Sequence, residues 1–114
     1  MTGDEITLTI PREEPFHQVA HLVLAGFAAR LNLSFESLGD LETALDAVLE
    51  RASGNGHVTV KLRLAEGSLC ATVGPFSGER GDEVALRRVL DTVVDGYELD
   101  ADGWLELRKR VGRG

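Results

Sequence analysis

One cysteine, Cys70, stands in the 114 residues. An internal disulfide needs two and a cysteine-rich zinc site needs more, so both are excluded. Long apolar runs are missing as well. The longest, Leu22 to Ala29, falls well short of the roughly 20 residues of a membrane-spanning helix. The opening residues, Met1-Thr2-Gly3-Asp4-Glu5, are acidic and lack the apolar core of a signal peptide, so a cytoplasmic location is expected. Basic residues are the minority: 12 Lys and Arg against 19 Asp and Glu leave a formal net charge of −7. Nucleic acid and anionic lipid both demand neutralisation of phosphates, and this balance disfavours direct binding to either. It is compatible with a basic protein partner. The chain also lacks a Gly-x-Ser-x-Gly elbow, so nucleophilic catalysis has no support. It shows no internal repeat, low-complexity segment or linker.

What is present is ordinary for a globular chain: 43% hydrophobic and 27% charged residues, in a length that suits a single domain, 1–114, with one core. Glu5 to Ile10 alternates, with Ile6, Leu8 and Ile10 on one side, and Pro11 stops this strand. Pro15 suits a first helical turn. Phe16, Val19, Ala20, Val23, Leu24, Phe27 and Leu31 follow at helical spacing, with Asn32 near the stop. Ser34, Ser37 and Asp40 are candidate N-caps for a second helix, whose stripe is Leu41, Ala44, Leu45, Val48, Leu49 and Ala52. Ser53-Gly54-Asn55-Gly56 ends it.

Val58, Val60, Leu62 and Leu64 alternate with Thr59, Lys61 and Arg63 in a second strand. A turn at Ala65-Glu66-Gly67-Ser68 leads to Leu69, Ala71 and Val73 on the return strand. A loop from Gly74 to Gly81 precedes a third helix that starts at Asp82 and carries Ala85, Leu86, Val89, Leu90 and Val93. Tyr97-Glu98-Leu99 and Trp104 to Val111 read as a closing hairpin across Asp100-Ala101-Asp102-Gly103. The expected fold is α+β: a two-layer sandwich of a mostly antiparallel sheet with helices on one face, in the order βααββαββ.

The opening strand Leu8-Thr9-Ile10-Pro11, the long first helix, Asp40-Leu41-Glu42 and the closing strand Leu105 to Val111 resemble the bacterial anti-sigma factor serine-kinase family. Its domain has the histidine-kinase-like (GHKL) ATPase fold, and the resemblance covers nearly the whole chain. In that family the second helix carries Glu-x-x-x-Asn, the Glu as general base and the Asn as Mg²⁺ ligand. The corresponding positions here are Ala47 and Arg51. Alanine accepts no proton, and arginine carries a fixed positive charge. The family's Asp-x-Gly-x-Gly turn, whose Asp recognises adenine, is replaced by Gly74-Pro75-Phe76-Ser77-Gly78. Pro75 and Phe76 would stiffen and fill the place of the base. The long lid is missing. Of the phosphate-holding glycines before the last helix only Gly81 remains, followed by Asp82 and Glu83, which suit a helix N-terminus but repel phosphate. A one-residue shift would put Asp46 and Glu50 at the reactive positions, at the cost of turning Leu45, Val48 and Leu49 off the buried stripe.

The resemblance therefore implies a degenerate member that keeps the scaffold without the ATP lid and has lost ATP and Mg²⁺. No catalytic residue, cofactor-binding residue or metal ligand is assigned. The degenerate pocket positions are Ala47, Arg51, Gly74, Phe76 and Gly81. The implied function is regulation of transcription by protein binding and partner switching. The implied partner is a sigma factor or an anti-anti-sigma-like protein, and a homodimer is in keeping with the family. Leu22 and Phe27 on the first helix serve either such a contact or internal packing. Two alternatives stand beside this reading: a divergent ATP-dependent protein-serine kinase, and a small-molecule binder reusing the vacated pocket near Ala47, Arg51, Phe76 and Arg80.

Other residues have ordinary readings. Glu42, Asp46 and Glu50 line one helix face, as a cation site or as a solvated face. His17 and His21 have the i, i+4 spacing of a two-histidine metal site, but no third ligand is near in sequence. Cys70 reads as a small buried or half-buried side chain. Arg80, Arg87 and Arg88 either hold an anion or pair locally, as Glu83 with Arg87. Trp104 and Phe76 are candidate exposed aromatics or core. Arg108, Lys109, Arg110 and Arg113 meet an acidic partner or form a charged edge strand that resists aggregation, the second being preferred.

Overall fold

A computed structural model describes residues 5–51, 56–76 and 83–111. Strand β1 (Glu5–Pro11) leads through a short 3-10 turn (Glu14–Phe16) into helices α1 (His17–Arg30) and α2 (Phe35–Arg51). Strands β2 (His57–Ala65) and β3 (Ser68–Gly74), helix α3 (Glu83–Val93) and strands β4 (Gly96–Leu99) and β5 (Leu105–Arg110) follow. The strands join in one sheet of order β1-β2-β3-β5-β4, antiparallel at every pairing.

The alternation along each strand becomes a two-sided sheet through register. Leu8 lies opposite Val60, Val60 opposite Val73, Val73 opposite Leu105, and Leu105 opposite Leu99. The next row on the same face is Ile6, Leu62, Ala71, Leu107 and Tyr97. Thr7, Lys61, Thr72, Glu106 and Glu98 form a row on the opposite, polar face. The apolar face meets Ala20, Leu24, Phe27 and Ala28 of α1, Leu41, Ala44, Leu45, Val48 and Leu49 of α2, and Leu90 of α3 in one buried cluster. Among the described residues the domain is α+β, a five-stranded antiparallel sheet with three helices packed against one face.

Helix boundaries follow local chemistry. Asn32 takes φ 59, and the amides of Asn32 and Leu33 bond to the carbonyls of Ala29 (3.2 Å) and Ala28 (3.1 Å). This left-handed residue closes α1 with the two backbone bonds of a Schellman cap. Ser34, among the three N-cap candidates, caps α2: its Oγ accepts the Ser37 N–H at 3.0 Å. The helix therefore starts at Phe35, ahead of Asp40, and carries Gly39 in its interior. Glu66 (φ 51) and Gly67 (φ 78) make the two-residue β2–β3 turn, with both central residues at positive φ as a primed hairpin turn requires. The expected loop residues Ser53, Gly54 and Asn55, and those from Ser77 to Asp82, lie outside the described residues.

The reading of the basic C-terminal strand as an edge strand is corrected. β5 lies between β3 and β4, because the tight β4–β5 hairpin adds β4 to its outer side. The edges are β1 and β4. Lys109 turns toward the helices, where its Nζ donates to Asp40 Oδ2 and to the Val93 carbonyl, both at 3.0 Å. Leu22 and Phe27 separate: Phe27 is 1% exposed and Leu22 72%. Phe27 belongs to the core and Leu22 to the surface. Phe27→Ala is expected to cost about 3–5 kcal/mol of unfolding free energy, the range for a buried Phe truncated to Ala. Denaturant titration measures it, and a loss below about 1 kcal/mol would deny Phe27 its core position.

Candidate functional site

The buried stripe Leu41, Ala44, Leu45, Val48 and Leu49 fixes how α2 is rotated. With those residues facing the sheet, Asp46 and Glu50 are exposed, while Ala47 and Arg51 are half-buried one turn apart. Asp46 spends its carboxylate on His21, 3.3 Å from Oδ1 to Nε2. The alternative in which Asp46 and Glu50 occupy the reactive positions thus sets both acids on the solvent side.

At the end of β3 the chain is seated tightly against the β4–β5 hairpin. Gly74 is buried, and its bond to Pro75 is cis. A Cβ on Gly74 would lie 2.9 Å from the Gly103 carbonyl oxygen and 2.9 Å from the Trp104 ring, so only glycine fits. The Phe76 N–H donates to the Gly103 carbonyl at 2.8 Å, and the Phe76 ring packs partly buried against the core. Arg12 reaches across from the end of β1 to donate to the Pro75 carbonyl at 2.6 Å, while its amide bonds the Gly56 carbonyl at 2.9 Å. The hairpin itself is held by Asp100. Its Oδ1 accepts the amides of Asp102 (2.8 Å) and Trp104 (3.1 Å), and Gly103 takes φ 88.

The structure brings Gly74 and Phe76 together at this junction and places Ala47 and Arg51 on a different element. Gly81 and Arg80 lie outside the described residues. Ala47, Arg51, Gly74 and Phe76 include no side chain able to accept a proton or ligate Mg²⁺. The roles of Arg12 and Gly103 were not visible in sequence. The turn chemistry of Asp100 to Gly103 marks a hairpin, but its contact with Phe76 is a tertiary fact.

The remaining candidates fall into place. His17 is buried and donates from Nε2 to the Arg12 carbonyl at 3.1 Å, so the two α1 histidines have different partners. Among the described residues no group of three or more His, Cys, Asp or Glu is placed to hold a metal. Cys70 is on the polar face of the sheet yet only 3% exposed, in register between Arg63 and Arg108. Both arginines pair with Glu106, at 3.3 and 3.2 Å. Burial pushes the Cys70 thiol up and Glu106 adds to this, while Arg63 and Arg108 pull it down. The net effect is a thiol raised above its ordinary range, which favours its protonated form. Trp104 lies beneath Lys61, whose Nζ is 4.9 Å from the ring centroid. Tyr97 donates to Asp91 Oδ1 at 2.8 Å, and this bond raises the phenol above its ordinary range.

No protein-family model matches this chain, and no curated protein matches it either. Gly103→Ala tests the junction. It would force alanine to positive φ and place its Cβ 2.6 Å from the Phe76 carbonyl oxygen. The expected loss is about 2 kcal/mol or more, since strained backbone and a clash with main chain combine. A variant as stable as the parent in denaturant titration would contradict the close seating.

Proposed function

We propose that this chain is a degenerate relative of the anti-sigma factor serine kinases and regulates by binding protein, without binding ATP or transferring phosphate. The partner on this reading is a sigma factor or an anti-anti-sigma-like protein, in a bacterial cytoplasm. The observation that carries the reading is the pair Ala47 and Arg51, on a helix whose rotation is set by its buried stripe. A phosphoryl-transfer site needs a group to orient or deprotonate the nucleophile and a metal to bridge the phosphates. Ala47 supplies neither, and Arg51 brings a cation where a metal ligand would be needed.

The segment after β3 supports the same reading. An adenine pocket there needs an acceptor for the exocyclic amine and room for a flat base. Gly74, Pro75 and Phe76 offer main chain already bonded to Arg12 and Gly103, with a ring turned against the core. Regulation would then rest on surface complementarity, with affinity governed by how well a partner covers apolar and charged groups and not by a nucleotide state.

Calorimetric titration with Mg·ATP and with Mg·ADP, run beside a thermal-shift series, tests this. No heat and no rise in melting temperature are expected. Micromolar binding by either nucleotide would overturn the reading and restore the divergent-kinase alternative, since a ligand at 100 times its Kd stabilises the native state by about 2.7 kcal/mol.

A further inference from the structure

The chain holds 12 Lys and Arg against 19 Asp and Glu, and the two signs are not mixed evenly. In the helix layer, α2 alone carries Glu36, Asp40, Glu42, Asp46 and Glu50. Cations gather on the other side of the molecule. The helices cover one face of the sheet, and among the described residues no element packs on the other. Alternation places Lys61 and Arg63 of β2 and Arg108 and Arg110 of β5 on this open face. Because β5 is an interior strand, Arg108 and Arg110 guard no edge, and their position calls for another use.

β3 runs between β2 and β5, and on this face it carries Ser68, Cys70, Thr72 and Gly74. All are small, so the long side chains on either side lean across a shallow floor. Arg63 reaches Glu106 at 3.3 Å, although their strands are not neighbours. Arg108 meets the same carboxylate at 3.2 Å. Lys61 crosses to Trp104, its Nζ 4.9 Å from the ring centroid. Beneath this cover Cys70 is 3% exposed, with no second layer above it. The cover is unbalanced in charge. Two guanidiniums share Glu106, Lys61 rests on an uncharged ring, and Arg110 is exposed. Glu5 and Glu98 stand only on the outer strands. The acids of α2 lie a packing layer away, roughly 10 Å, beyond the screening length of about 8 Å at physiological salt. At the open face the local excess of cations therefore governs.

We infer that this face is a docking surface for an acidic segment of a partner protein, lying extended along β3. Side chains two residues apart on a strand repeat every 6.8 Å or about that, as they do in any extended segment. β2 and β5 are about 9.6 Å apart, so carboxylates above β3 meet Lys61 and Arg63 on one side and Arg108 and Arg110 on the other. Each guanidinium can take a carboxylate through two parallel N–H bonds. The existing pairs with Glu106 are partly exposed and hence weak, and a second carboxylate supplies the charge that Glu106 alone leaves unmet. Nucleic acid fits less well: evenly spaced phosphates cannot avoid Glu106 in the middle of the face or Glu5 and Glu98 at its margins.

The surface belongs to the sheet alone, so it stands or falls apart from the nucleotide question. Trp104 is the one tryptophan of the chain, and its fluorescence reads the site directly. Titration of the full chain with an oligo-glutamate peptide at low ionic strength is expected to give a saturable change in emission that added salt reverses. Oligo-lysine and duplex DNA are expected to give none. Arg63→Gln/Arg110→Gln is expected to raise the Kd for oligo-glutamate by about tenfold. Arg63→Lys/Arg110→Lys keeps the charge and is expected to bind within about threefold of the parent. Arg30→Gln/Arg88→Gln removes as much charge from exposed positions on the helices and is expected to leave the Kd unchanged. A parent that does not respond to oligo-glutamate, or that binds oligo-lysine or DNA as tightly, would overturn the inference. So would an unchanged Kd for Arg63→Gln/Arg110→Gln, or an equal loss in Arg30→Gln/Arg88→Gln.

Discussion

The row Leu8, Val60, Val73, Leu105 and Leu99 crosses all five strands at one level, and the rest of the molecule depends on its register. Side chains along a strand alternate with period two, so a slip of one residue in any strand would turn Thr, Lys and Arg toward the helices and expose the apolar set. Because the register holds, the helices meet a continuous apolar surface. That surface selects which stripe of α2 is buried, and the stripe in turn decides that Ala47 and Arg51 are half-buried while Asp46 and Glu50 face water.

The same register delivers the end of β3 to the β4–β5 hairpin. β3 and β5 are neighbours in the sheet, and Val73 lies opposite Leu105. Gly74 therefore arrives beside Gly103 and Trp104, where a side chain has no room. The chain continues through Phe76, bonded to Gly103. On the proposed reading, a place that would admit a base is closed by the protein's own main chain, and what the fold keeps is a shaped surface.

Much of the architecture was legible in the residues. Strict alternation in Val58 to Leu64 and in Leu69 to Val73 marks half-buried strands, and the Leu41 to Leu49 stripe marks a helix with one wet face. What was not legible depends on long-range contact. β5 carries Arg108, Lys109 and Arg110 and looks like an edge strand in sequence. It becomes interior only because β4 adds to it, a matter of strand order. The sides of α1 could not be told apart because apolar residues lie on its inner and its outer side alike, so Leu22 and Phe27 have similar local context and opposite fates. The α2 N-terminus offered three capping residues, and only the three-dimensional path of the chain selects Ser34. On the proposed reading, the candidate site is a set of replaced residues at Ala47, Arg51, Gly74 and Phe76. Its closing partners Arg12 and Gly103 come from opposite ends of the chain and left no local signal.

On the proposed reading, the segment after β3 is occupied by the protein's own contacts and takes no part in nucleotide binding. Amide hydrogen exchange at Phe76, followed by NMR with and without Mg·ATP, reads this directly. The N–H bonded to the Gly103 carbonyl is predicted to exchange as slowly as the amides of β3, at the same rate in the presence of nucleotide. Fast exchange that slows when Mg·ATP is added, with resonance shifts at Ala47 and Arg51, would contradict the account.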